Sequence, residues 1–106
     1  MPTPTDKRVE LQYKLEEILG SNKVYYRPPE NIKLTFPCIV YRLRDGETQY
    51  ANNKAYVFKR SYNVQLIHKN ADTDLIEALI GAFPYIRFET SFIVDNLIHE
   101  NFILYY

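Results

Sequence analysis

The strictest constraint on this chain lies between residues 56 and 68, where large apolar and polar side chains alternate. Tyr56, Phe58, Tyr62, Val64 and Leu66 fall on one side of an extended backbone; Lys59, Ser61, Asn63 and Gln65 fall on the other. A period of two is the repeat of a strand, and a strand with one apolar face belongs to a sheet covered on that face alone. Arg60 interrupts the apolar row near its start, so the sheet is expected to run past its core there.

Two segments carry the helical period that such a cover needs. Over residues 6–19, Leu11, Leu15, Ile18 and Leu19 form one stripe, with Thr5 or Asp6 placed to cap it and Gly20 placed to end it. Glu10 and Lys14 make an i,i+4 pair of the favourable order on another face. Over residues 73–82, Leu75, Ile76, Leu79, Ile80 and Phe83 share a stripe, Asp74 suits the positive N-terminus, and Pro84 stops the helix.

The remaining segments read as strands. A short one over 23–27 runs into Pro28-Pro29, which donate no backbone hydrogen bond and belong at an edge or outside the sheet. Residues 36–44 form the next, with Pro37 tolerated only near its beginning. Asp45-Gly46 opens a hairpin, and the polar run after it predicts a long mobile tip over 45–54. Residues 85–94 form a further strand with Ile86, Phe88, Phe92 and Val94 inward and Arg87, Glu89 and Ser91 outward. Asp95-Asn96 is a tight turn, and the last strand ends in Phe102, Leu104 and Tyr106. The order α-β-β-β-α-β-β predicts a two-layer α+β domain, its mostly antiparallel or mixed sheet carrying both helices on one face. Leu15, Ile18, Leu75, Ile76, Leu79, Tyr62, Val64, Leu66, Phe88 and Phe92 are expected to be largely buried.

At 106 residues the chain holds one domain, residues 1–106, because two cores of half that size would each be too small to be stable unaided. No apolar run approaches the roughly 20 residues that a bilayer requires. The opening MPTPTDKRVE lacks the apolar stretch of a secretory signal, so no membrane partner is expected. Thirteen Lys and Arg balance thirteen Asp and Glu, a poor footprint for a dedicated nucleic-acid binder. The balance hides a polarity. Residues 1–60 carry eleven basic against seven acidic side chains, and residues 61–106 carry two against six. Unless the halves interleave in space, such a domain attracts copies of itself head to tail.

Little in the sequence suggests chemistry. Cys38 is the one cysteine; it sits in an apolar strand with no base nearby and reads as a buried core thiol. His68 and His99 belong to different strands and read as strand-end and surface histidines, not zinc ligands. Glu16-Glu17 and Asp72/Asp74 are explained by solvation and capping. Three glycines leave no phosphate-cradling loop. No catalytic residue, metal or cofactor is expected. The alternation of basic and aromatic residues from Lys54 to Tyr62, beside Arg42 and Arg44, is the one suggestive cluster. It is compatible with an electrostatic protein interface or with stacking on single-stranded nucleic acid. The period of two puts most of those rings on the core side, which favours the interface.

Three stretches carry a family resemblance: RPPENIKLTFPCIVYRL (27–43), YANNKAYVFKRSYNVQLIHKNAD (50–72) and DNLIHENFILYY (95–106). With the order of elements, they resemble the small neck proteins of long-tailed bacteriophages, the tail terminator or tail-completion group. The resemblance implies a non-enzymatic virion structural protein that forms a ring, commonly a hexamer, at the head-proximal end of the tail tube. Such a ring ends tube polymerisation and meets the head-completion or connector protein, and genomic DNA touches it only in transit through the lumen. It also implies assembly in the host cytoplasm followed by residence in the virion neck. The candidate interface residues are Arg42, Arg44, Tyr50, Asn52, Asn53, Lys54, Lys59 and Arg60. A soluble adaptor domain and a weak single-strand nucleic-acid-binding module are the readings from other classes.

Overall fold

A computed structural model describes residues 4–50, 58–70 and 72–106. The elements are α1 (Pro4–Leu19), β1 (Val24–Tyr26), β2 (Cys38–Tyr50), β3 (Phe58–His68), α2 (Leu75–Ala82), β4 (Ile86–Val94) and β5 (Leu97–Tyr105). The strands form one sheet in the order β1-β2-β3-β5-β4. β1 runs parallel to β2, and every other neighbouring pair is antiparallel. Both helices contribute to the core on one face of this sheet, so the chain adopts the two-layer α+β fold that its periodicities predict.

Local chemistry explains the boundaries. Gly20 takes a left-handed φ of 80° and its N–H bonds the Glu16 carbonyl at 2.9 Å, ending α1 as a C-terminal glycine does. β1 stops at Arg27, which has φ 47°, and Pro28-Pro29 follow outside the sheet. α2 begins at Leu75, two positions later than its sequence suggests. The Thr73 hydroxyl accepts from the Leu75 N–H at 3.3 Å, while Asp74 makes no side-chain cap. The Asp95-Asn96 turn has φ 53° and 64°, the two left-handed residues of a tight hairpin connection, for which Asn and Asp are suited.

Two expectations are corrected. Residues 45–50 are not the start of a loop: β2 continues to Tyr50, and Thr48, Gln49 and Tyr50 pair with Arg60, Lys59 and Phe58. A register shift between Leu43 and Thr48 takes up the polar residues, after which the ladder resumes. Residues 51–54 of the expected tip, and Tyr56 of the alternating strand, lie outside the described residues.

The second correction concerns β4, whose exposed row runs almost its full length. Phe88 pairs with Phe102, but Thr90, not Glu89, pairs with Asn101, so Glu89 is an extra residue in the ladder. Beyond such a bulge the side chains change faces. Ile86 and Phe88 therefore share the helix-covered face with Phe102 and Leu104, while Phe92 and Val94 turn to the open face beside His99 and Leu97. Phe88 is 44% exposed and Phe92 41%, against the expectation that both are core. Phe88 packs edge-on against Phe102 at the border of the core; Phe92 stacks flat on the His99 ring.

Leu15, Leu79, Tyr62, Val64 and Leu66 are buried as expected, and Ile18, Leu75 and Ile76 pack against them half-buried. Under α1 the rings of Tyr26, Tyr41 and Tyr62 follow one another at centroid distances of 5.0 and 6.1 Å. The Tyr41 hydroxyl donates to Gln12 Oε1 at 2.6 Å and accepts from Arg8 at 3.4 Å, so its polar tip is satisfied. Burial raises the pKa of the Tyr41 and Tyr62 hydroxyls above the ordinary value.

Tyr106 is tied down on several sides. Its main chain exchanges hydrogen bonds with Arg60, its hydroxyl donates to Glu10, and the ammonium groups of Lys7 and Lys14 lie 4.7 and 5.0 Å from its ring. Glu10 and Lys14 thus meet at Tyr106, and the hydrogen bond from Tyr106 is the main reason the Glu10 carboxyl titrates below its usual value.

Cys38 is buried, and desolvation pushes its thiol up to about 11. The expected result with a thiol-reactive chromophore is negligible labelling of the native protein at neutral pH and stoichiometric labelling in denaturant. Rapid labelling of the folded chain contradicts the burial.

Candidate interaction surface

The basic cluster does not form one patch. Arg42 lies opposite Asn63 on the open face, where it is exposed. Arg44 follows on that face, and its guanidinium donates to the Ser61 hydroxyl at 3.3 Å. Ser61, though on the open face, is fully buried. By the pleat of β3, Arg60 shares the helix-covered face with Tyr62, where it is half-buried. Lys59 sits opposite Gln49, and Tyr50 opposite Phe58. Asn52, Asn53 and Lys54 lie outside the described residues. The pleat therefore separates the arginines that the sequence groups together.

On the open face a groove of about 280 Å³ crosses four strands and is lined by Val40, Arg42, Asn63, Gln65, Glu89 and Asn101. The Gln65 amide donates to Asn101 Oδ1 at 2.9 Å across β3 and β5. Arg42 and Glu89 give it one charge of each sign, and the Glu89 bulge brings the acid to it. Tyr41, next to Arg42 in sequence, and Tyr62, paired with Leu43 across β2 and β3, are buried on the opposite face, so neither offers a stacking platform beside these cations.

The histidines need a further correction. His68 is 2% exposed, not at the surface, and its Nε2 lies 3.2 Å from Oε2 of Glu100, which is 6% exposed. The two are diagonal neighbours on the helix-covered face, since Leu66 pairs with Glu100 and His68 with Ile98. His68 Nδ1 has no hydrogen-bond partner among the described residues. His99 is half-buried on the open face. The side chains at 68 and 100 are 32 positions apart, and only the β3–β5 register brings them together. Among the described residues no group of three or more His, Cys, Asp or Glu is placed to hold a metal, and no helix is long and apolar enough to cross a membrane.

What these features define is a two-layer α+β domain with a polar groove on the face away from the helices and an exposed apolar edge strand. Comparison of the chain with protein-family models, with curated proteins and with solved structures finds no match.

Proposed function

We propose that this chain is a non-enzymatic virion structural protein of the tail-terminator or tail-completion kind. It forms a ring, expected to be a hexamer, at the head-proximal end of a phage tail tube. The observation that carries this reading is the order α-β-β-β-α-β-β, with its Pro-Pro turn before β2 and terminal aromatic strand, as in the neck proteins the sequence resembles. The opposed charges of the two halves support a repeating head-to-tail contact. In this role the ring ends tube growth and presents a surface to the head-completion or connector protein. DNA meets it only in passage. Assembly takes place in the host cytoplasm, and the protein then resides in the virion neck.

The test is sizing in solution beside a head–tail joining assay, on the wild type and on Lys59→Glu/Arg60→Glu. The wild type is expected to form rings and to restore joining to tails that lack it. The double variant is expected to give a native circular dichroism spectrum yet fail to join heads to tails. A folded variant that joins normally removes Lys59 and Arg60 from the joining surface. A wild type that never associates and never joins removes the ring reading itself.

A further inference from the structure

The exposed apolar side chains gather at the two ends of the sheet. At the β4 end are Tyr85, Phe88, Phe92, Ile93 and Val94, with Ile93 70% exposed. On the β1 side of the molecule α1 carries Val9 and Tyr13, one turn apart on the face away from buried Leu11 and Leu15, and Ile32 follows Pro28-Pro29; Tyr13 is 66% exposed. α1 is fixed to that end by Gln12, which donates to the Val24 carbonyl at 2.8 Å. Apolar surface of this extent on one strand marks an interaction site.

The charges around the two ends have opposite sign. Around β1 the basic Arg8, Lys23, Arg27 and Lys33 outnumber Glu16 and Glu30, whereas Glu77, Glu89 and Asp95 on and beside β4 outnumber Arg87. We infer that the β4 edge of one copy docks against the α1–β1 edge of a second copy. Apolar side chains fill the centre of this contact, and acidic–basic pairs fix its orientation. This inference rests on the ring reading above and specifies its repeating contact.

A second copy is favoured because each molecule carries both halves of the match on opposite edges of one sheet. Such a contact is heterologous and repeats around a ring. The symmetric alternative, β4 against β4, sets Glu89 and Asp95 against their own kind. Strand addition at β1 is disfavoured too: β1 has three residues, Gln12 occupies its Val24 carbonyl, and Arg27 and Pro28 end it. The contact is therefore one of side chains.

Two variants with exposed substitutions test this. Glu89→Lys/Ile93→Lys alters the β4 edge, and Arg27→Asp/Lys33→Glu alters the β1 edge; Asp tolerates the left-handed backbone at position 27. Each alone is expected to lose at least about tenfold in association, as for truncated interface anchors, while its circular dichroism spectrum stays native. An equimolar mixture is expected to regain association and form at least the one-to-one heterodimer, because each mixed pair keeps one contact in which both edges are unaltered. Native mass spectrometry reads both results. If the β4 variant associates like the wild type, or the β1 variant alone still forms dimers through β4, the inference is overturned although the ring reading stands. A wild type that stays monomeric overturns both. Should the β4 double variant fail to fold, Ile93→Lys alone gives the same readout through a single exposed side chain.

Discussion

Truncating Leu15 to Ala lowers the free energy of unfolding by about 2–5 kcal/mol, and Leu79→Ala has an effect of the same size. Leu15 on α1 and Leu79 on α2 are both fully buried, and they belong to one cluster with Ile39, Tyr41, Val64 and Phe102 of the sheet. Removing either leaves a cavity that neighbours on three elements would have to move together to fill. Urea titration with a common slope for wild type and variants gives the measurement. Ile93→Ala is the internal control: the side chain is largely in water, and its truncation is expected to change stability by no more than about 0.5 kcal/mol. Equal effects of Leu15→Ala and Ile93→Ala would mean that α1 does not cover the sheet.

The parts of the fold that were legible in the sequence are those set by one segment's own period. β3 alternates because one of its faces is covered. The stripes of α1 and α2 follow from the same covering, and Gly20 and Pro84 mark ends that the backbone itself requires. What was not legible depends on how strands pair. The extra residue at Glu89 carries no signature of its own, since an acidic residue between Phe88 and Thr90 reads as one more outward position. Only the pairing to β5 shows that Phe92 and Val94 turn to the open face. The same holds for Thr48–Tyr50, whose polar residues look like loop until β3 supplies partners. In the candidate surface the sequence located the arginines, and the pleat then divided them, placing Arg42 and Arg44 on the open face and Arg60 on the covered one. The apolar β4 edge was missed because Phe88, Phe92 and Val94 were assigned to the core.

The buried pair of His68 and Glu100 gives the second large effect, and its sign depends on whether one partner is removed or both. Glu100→Ala leaves the His68 ring buried with neither nitrogen partnered among the described residues, because Nδ1 is already without one. The expected cost is about 1–3 kcal/mol, that of a desolvated polar group deprived of its hydrogen bond. His68→Leu/Glu100→Leu removes both polar groups and restores apolar packing against Leu66 and Ile98. Replacing both members of a buried hydrogen-bonded pair by apolar groups of similar shape can be nearly neutral or stabilising. The double variant should therefore recover what the single variant loses, and thermal melts of the wild type, His68→Leu, Glu100→Leu and the double variant make up the cycle. A neutral Glu100→Ala would show that the carboxylate does not hold the ring. If the double variant is as stable as the wild type, stability does not account for this pair within an otherwise apolar layer. Its remaining contribution would then lie in fixing the β3–β5 register, since a one-residue slip parts the two side chains and exchanges the faces of β5. That register also sets which side chains the β4 edge presents, because among the described strands β4 pairs with β5 alone. A stable double variant that assembles normally would leave the pair without a specific role, whereas a stable one that assembles poorly would place its role in the register.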